Sequence, residues 1–434
     1  MVELLTIKEA SEWATNYLKK TVTPANIQYL IQYGRVSKIG DNGLTQVLKR
    51  ELIKYYKINN ISKKEFLKDK LGDDLNWKLS FIEYSESETT KHVHRLHPYK
   101  GKFIPQLVEY FLDSHTDKFK KDVFFQKGDI ILDPFCGSGT TLVQANELGI
   151  NAIGVDISAF NSQISISKIG KYDIQLIQEK TKGISLKLKE YLKSKNNTKY
   201  EAELLEELKI YNAKYFPSPE FKHRVRQKEI NEKVYGKDKE IKFLPIYKNL
   251  IDKYKIELKQ DKSESFLDKW FTKVVREEIN FVFNEIKKIK DIPTKRILSI
   301  ILSRTIRSCR ATTHSDLATL FKPQITTYYC KKHGKICKPL FSINNWWNRY
   351  SKDTIKRLKQ FNILRTNTYQ ICLTGDSRNI NVLSELEKRN PFLFQKVKGH
   401  KIDGIFSSPP YVGLIDYHEQ HAYSYDLFGF ERKD

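Results

Sequence analysis

Apolar residues along this chain recur with two periods. An unbroken apolar run, Ile130-Ile131-Leu132, gives way to a glycine turn; Leu142, Val143, Ala145 and Leu148 then return at helical spacing before Gly149, and a second run leads through Ile153 and Val155 to Asp156. Unbroken runs of this length read as strands buried on both faces, and the three-to-four recurrence reads as a helix with one apolar face. Strand, helix and strand in that order predict a βαβ unit of a parallel sheet. The pattern resumes late in the chain. Gln370 to Thr374 reads as a strand with Asp376 just past its end, Val382 to Arg389 as a helix, and Ile402 to Phe406 as another buried strand running into Ser408-Pro409-Pro410-Tyr411.

Residues 170–369 stand between the two halves of that pattern, and they are helical and lysine-rich throughout. A stretch of this length is a structured insertion and no loop. Phe271, Val274, Val275, Ile279, Phe281, Val282 and Ile286 predict a core helix within Trp270 to Ile289; Ile297 to Ile306 predicts another, and Trp346, Trp347 and Phe341 are expected to pack a core. At the other end, residues 1–60 read as a small module. Thr6 with Glu9 three places later begins one helix, Thr23 followed by Pro24 begins a second, and Tyr33-Gly34-Arg35-Val36 is expected to turn into a short strand. Residues 61–90 are charged and irregular and read as a linker. The expected divisions are therefore 1–60, 61–90, 91–169, 170–369 and 370–434.

Composition narrows the partners. Seventy-six Lys and Arg against 52 Asp and Glu leave a net charge of +24, which favours a polyanion, nucleic acid first, because each neutralised phosphate releases counterions. An AT-rich genome that inflates lysine accounts for part of that excess. Five cysteines in 434 residues make no disulfide framework, and neither a signal peptide nor an apolar run of membrane length is present; a soluble cytoplasmic protein with no membrane partner is expected.

Several residue groups carry candidate chemistry. Gly137 and Gly139 let the backbone approach a ligand, and the helix beginning near Thr140 offers it unpaired N–H groups. Asp156, about 20 residues on, stands where the ribose hydroxyls of an adenosine cofactor are usually held, a spacing that suits NAD, FAD or S-adenosylmethionine alike. The two prolines after the last strand stiffen its loop and leave carbonyls free to accept, so Ser408, Pro409, Pro410 and Tyr411 form a pocket for a planar amine. Arg304, Arg307 and Arg310 recur every three residues and lead to His314, an arrangement that grips phosphates or reads guanine edges, or else is a solvated or salt-bridged helix face. Cys330, His333 and Cys337 supply three zinc-type ligands, with Cys309 or His314 as a fourth, yet structural sites ordinarily pair their ligands otherwise. A basic turn on the DNA backbone, without metal, is the expected reading. No carboxylate or cysteine cluster accompanies His92, His94 and His97, so no metal is expected there either.

Asp133-Pro134-Phe135-Cys136-Gly137-Ser138-Gly139-Thr140 together with Ser408-Pro409-Pro410-Tyr411 resembles the S-adenosylmethionine-dependent amino-methyltransferases of DNA, which act on cytosine N4 or adenine N6 in restriction-modification systems. The resemblance covers roughly residues 92–169 and 370–430, and it implies an α/β, Rossmann-like class I methyltransferase sheet with a large, mainly helical insertion and a small N-terminal helical or winged module. It further implies S-adenosyl-L-methionine as cofactor, held at its methionine end by Tyr99, Lys102 and Phe103 and along the crevice by Asp133, Pro134, Phe135, Cys136, Gly137, Gly139 and Thr140. Asp156 and Ile157 are expected at the ribose, and Asp376 and Ser377 at the adenine. Ser408, Pro409, Pro410 and Tyr411 are the expected catalytic residues. By position the insertion is the target-recognition domain, and the N-terminal module loosely resembles excisionase-like DNA binders. A Ser before Pro-Pro favours cytosine over adenine.

The sequence departs from the family after Tyr411, where further strands of the sheet are expected and the chain instead ends at Asp434. The expectation is a sheet incomplete at its C-terminus, in a truncated chain or one completed by a second polypeptide, with double-stranded DNA and a cognate restriction endonuclease as the other partners. Alternative expectations are an adenine-N6 enzyme, an RNA amino-methyltransferase and a DNA-recognition subunit without catalysis.

Overall fold

The computed structural model describes residues 3–18, 21–40, 45–59, 63–72, 74–75, 77–193, 195–260, 265–313, 322–339, 342–410 and 416–431. Eight strands are described: β1 (Leu4–Thr6), β2 (Gln46–Leu48), β3 (Ile130–Asp133), β4 (Asn151–Asp156), β5 (Tyr328–Cys330), β6 (Lys335–Cys337), β7 (Gln370–Thr374) and β8 (Gly404–Ile405). They belong to two compact units. One comprises Met1–Leu75, Lys195–Glu257 and Ala311–Leu340; the other comprises Asn76–Ser194, Leu258–Arg310 and Phe341–Asp434.

The second unit holds a four-stranded parallel sheet in the order β7-β4-β3-β8. The βαβ reading of the sequence meets its counterpart here. β3 runs to Asp133, the helix Thr140–Leu148 follows, Gly149 stops it at φ +79° and β4 ends at Asp156. All six residues of β4 are buried, as its unbroken apolar run requires. Ile130, Ile153, Val155 and Leu373 form one core with Leu386, Leu393 and Val397 from the two helices that precede β8. The chain passes from β3 out to β4 and β7, then crosses back to lay β8 on the far side of β3. Carboxyl ends of β3 and β8 therefore open onto the reversal of strand order, where crevices form in such sheets.

The insertion does not stay together. Its helices Ile174–Lys193, Phe266–Trp270, Lys273–Lys287, Ile292–Cys309 and Asn344–Leu364 belong to the sheet unit, while Asn197–Tyr215, Glu220–Arg226 and Glu232–Tyr254 belong to the other. The boundaries expected at 169 and 369 thus differ from the packing. Trp347 is fully buried and donates from Nε1 to Ser185 Oγ (3.2 Å), Ile343 N donates to Glu278 (2.8 Å), and Arg357 donates to the carbonyls of Thr90 and His92. Apolar faces of these helices find their partners around the sheet. The expected core helix is Lys273–Lys287, with Val274, Val275, Ile279, Val282 and Ile286 buried; Phe341 lies outside the described residues.

The first unit joins the N-terminal module to its three long-range helices. Both expected caps form: Thr6 with Glu9, and Thr23 with Asn26. Residues 33–36 make a turn at Gly34 (φ +62°) where a strand was expected, and it is β2 that returns to pair antiparallel with β1. Ala10, Ala14, Ile27, Leu30, Val36, Val47 and Leu52 fill this module's core. Within residues 61–90 the chain forms a helix, Lys63–Leu71, where an irregular linker was expected.

Candidate active site at the carboxyl end of the sheet

One cavity of about 560 Å³ lies at the carboxyl ends of the strands in the sheet unit. It gathers Tyr99, Lys102 and Phe103 from the segment before the sheet, Asp133 to Ser138 and Thr140 from the glycine turn, Asp156 and Ile157 from the tip of β4, Asp376 and Ser377 after β7, and Ser408 and Pro410 after β8. These come from five separate stretches of sequence. Gly139 sits behind the cavity at φ +74°, where an added Cβ would stand 2.8 Å from Ser165 Oγ. Pro409 is exposed and is not part of the lining, and Tyr411 and His314 lie outside the described residues.

Asp156 organises the turn. Its Oδ2 accepts the Gly137 N–H (2.8 Å) and its Oδ1 accepts from Ser158 N (2.9 Å) and Asn161 Nδ2 (3.1 Å). Burial nonetheless pushes its carboxyl up to about 6, with the nearby Asp133 adding to the rise. Asp133, also buried and also raised by that burial, accepts from Ser407 Oγ (2.6 Å) and Phe135 N (3.2 Å). Ser407 thereby fastens the loop after β8 to the tip of β3, a role invisible in sequence beside its neighbour Ser408. Ser407→Ala is expected to lower stability by about 1–2 kcal/mol in urea unfolding, since a buried carboxylate loses a partner.

Three cations stand at the site or beneath it. Burial pulls Lys102 down to about 8, and its Nζ donates to the His94 carbonyl (2.7 Å). The fully buried Lys168 donates to Ser138 Oγ (3.0 Å) beneath the glycine turn. Arg378 grips Asp376 through Nε and Nη and holds its carboxyl down to about 2. Sequence reading missed Arg378, though its place two residues after Asp376 was a usable signal. Also missed were Asn161 and His418, which reach the cavity from helices, and Asp416, the residue that caps the helix carrying His418. Tyr99 accepts from Asn161 and its ring stacks on buried His421, while Ser158 and Tyr425 share a hydrogen bond that ties the helix Ala422–Phe428 to the site.

Two expectations need correction. Arg304 is 8% exposed and Arg310 is 6% exposed, so neither belongs to a solvent-facing arginine row. Arg304 donates to Asp353 (2.6 Å) above the Tyr350 ring, and Arg310 lies over the rings of Phe266, Trp270 and Tyr423. Of the three, Arg307 keeps partial exposure. Arg304→Ala is accordingly expected to cost about 2–3 kcal/mol of stability, measured in urea, without changing the DNA affinity of the folded protein. The histidine segment, expected to stand apart from any carboxylate cluster, meets a single carboxylate: His92 Nε2 lies 2.8 Å from Glu147 Oε1. Glu147 also pairs with Lys91 at 2.8 Å, and His94 bonds Gln144.

Such a sheet, with its glycine turn, strand-tip acids and proline-stiffened loop in one crevice, defines a Rossmann-like methyltransferase domain. The N6/N4 methyltransferase family model, described as DNA methylase, matches residues 7–167, and an RMKL-like methyltransferase domain model matches residues 124–251. The type II methyltransferase M.MjaII of Methanocaldococcus jannaschii is 46% identical over 439 aligned residues, covering 100% of this chain and 80% of that protein. The chain belongs to the DNA amino-methyltransferases of restriction-modification type. More local likenesses reach the type II methyltransferase M.MvaI of Kocuria varians (31% identity over 24% of this chain and 22% of that protein) and a tRNA (guanine(10)-N2)-dimethyltransferase of Methanocaldococcus jannaschii (35% over 24% and 28%). No solved structure matches significantly. Among the described residues no helix is long and apolar enough to cross a membrane.

Proposed function

We propose that this chain is a site-specific DNA methyltransferase that uses S-adenosyl-L-methionine to methylate N4 of a cytosine flipped out of duplex DNA. The observation that carries this reading is the convergence of the glycine turn, Asp133, Asp156, Asp376 and Ser408 on one cavity. The cavity's chemistry fits the cofactor. Thr140 Oγ1 and Asn161 Oδ1 are buried with no hydrogen-bond partner among the described residues, so donor and acceptor capacity is held in reserve at the glycine turn. Lys102, with Tyr99 and Phe103 beside it, would hold the cofactor's carboxylate; Asp156 and Ile157 the ribose; Asp376 and Ser377 the adenine. Asp133, Pro134, Phe135 and Cys136 line the crevice between them. When bound, the cofactor supplies an electrophilic methyl group on a sulfonium.

The remaining work falls to the chain. An exocyclic amine is a poor nucleophile because its lone pair is delocalised into the ring. The Ser408 hydroxyl accepts its hydrogens, draws them from the ring plane and aims the lone pair, and the family resemblance assigns the Pro409 carbonyl as a second acceptor and Tyr411 as the base's stacking partner. No strong base is needed, because the nitrogen becomes acidic once methylated. Reaching the site requires the base to leave the duplex. Recognition of the DNA sequence is assigned to the unit that contains the N-terminal module and residues 195–257 and 311–340, and the cell's own DNA is the substrate protected from a cognate endonuclease.

Ionised Asp156 accepts ribose hydroxyls better than its protonated form does. Cofactor affinity is therefore expected to fall as pH drops through about 6, where this carboxyl gains its proton, and the decline should flatten in Asp156→Asn. Calorimetric titration across that range checks it; an unchanged slope in the variant assigns the titration elsewhere, with Asp133 the next candidate. For the reading as a whole, labelled methyl is expected to pass to duplex DNA and not to RNA of the same sequence. Labelling of RNA alone would overturn it.

A further inference from the structure

We infer that Cys330, His333 and Cys337 form a zinc-type metal site that staples the β5–β6 hairpin. All three ligand atoms lie within 4.8 Å of one another. The hairpin's geometry brings this about: Tyr328 pairs with Cys337 and Cys330 with Lys335, so the two cysteines sit diagonally on one face of the ladder. The turn of residues 331–334 closes with Gly334 N donating to the Cys330 carbonyl (2.7 Å), and Gly334 adopts φ +62°. This turn carries His333 back over the thiols, with Nδ1 3.5 Å from Cys337 Sγ.

Chemistry selects the ion. Two sulfurs and an imidazole make a soft, tetrahedral donor set that suits Zn²⁺ and excludes Mg²⁺ and Ca²⁺. Both thiol protons pass to solvent on binding, and Zn²⁺ with two thiolates and a neutral imidazole carries no net charge, so the buried sulfurs are held without a charge cost. The fourth position is left for water or an outside donor. By contrast, the histidine pair with Glu147 is a poor cation site: Lys91 already pairs with that carboxylate, and Lys102 and Lys168 face His94.

Local structure gives the metal a task. The two strands are three residues each, and a hairpin that short is marginal by itself. Asn212 pins Ile336 through both its backbone N–H and its carbonyl, and Glu240 accepts from Tyr329 N, so the strand backbones are anchored. Among the described side chains, the staple acts at the turn, where Lys331 and Lys332 are exposed. It would fix this basic turn as a rigid contact for phosphates, a consequence that rests on the recognition role assigned to this unit, whereas the metal site does not.

The test uses the full chain purified without a histidine tag under reducing conditions. One zinc per chain is expected by elemental analysis, and the chelator-stripped protein titrated with Co²⁺ should develop thiolate-to-cobalt charge transfer with tetrahedral d–d bands. Cys330→Ser and Cys337→Ser should each reduce that charge-transfer band, His333→Ala should weaken Co²⁺ affinity at least about tenfold, and His92→Ala should change nothing. A folded apo chain that gives no charge-transfer band overturns the site whether or not any variant folds. So does a band that persists in the Cys330/Cys337 double variant, or a Cys330–Cys337 disulfide found by mass spectrometry in freshly prepared protein.

Discussion

Replacing Ser408 by Ala is expected to slow methyl transfer about 100-fold or more while leaving cofactor affinity within about twofold. The magnitude follows from losing one preorganised hydrogen-bonding group at the reacting centre, which costs on the order of 100- to 1000-fold in rate. Ser408 lines the cavity at the loop after β8, on the far side of β3 from Asp156 and Asp376. Its side chain would meet the amine, and the cofactor groups would meet other residues. Single-turnover rates and calorimetric cofactor binding separate the two effects. An equal loss in both would mean that Ser408 supports the cofactor instead of the amine.

Gly137→Val is expected to weaken cofactor binding at least about 100-fold, or roughly 2.7 kcal/mol. Two causes act together. Gly137 adopts φ +53°, which a β-branched residue strongly resists, and a Cβ there would stand 3.1 Å from the Tyr99 hydroxyl oxygen. Either the turn shifts, breaking the Gly137 N–H bond to Asp156, or Tyr99 moves out of the cavity wall. Gly149→Ala provides the control. It has a similar φ of +79°, but its Cβ would meet the flexible Lys127 side chain at 3.3 Å, away from the cavity. That variant should lose about 1 kcal/mol of stability and no cofactor affinity. Thermal unfolding and calorimetry on both proteins distinguish strain from site damage.

These contrasts show what the sequence could convey. The β3–helix–β4 unit was readable almost to the residue because each part has a local cause: unbroken apolar runs for strands buried on both faces, Gly137 and Gly149 for positive φ, and an acid at a strand end. The allocation of the insertion's helices was not readable. An amphipathic stretch declares that it has an apolar face, but its partner, such as Ser185 for Trp347, is chosen more than a hundred residues away. Arg304 and Arg310 misled for the same reason. Regular spacing suggested a polar face, whereas Asp353 and Tyr350 cover one guanidinium, and Phe266, Trp270 and Tyr423 cover the other. Spacing did single out Cys330, His333 and Cys337 as a group, but that their side chains meet depends on a hairpin register that no local pattern specifies.

The central claim is that Ser408 presents a cytosine amine to the methyl donor. Nucleoside analysis of plasmid DNA after incubation with this chain and labelled S-adenosylmethionine tests it most directly. Label in N4-methylcytosine, lost in Ser408→Ala, is the expected result. Label in N6-methyladenine instead would contradict the cytosine assignment, and undiminished N4-methylcytosine from the Ser408→Ala protein would contradict the catalytic one.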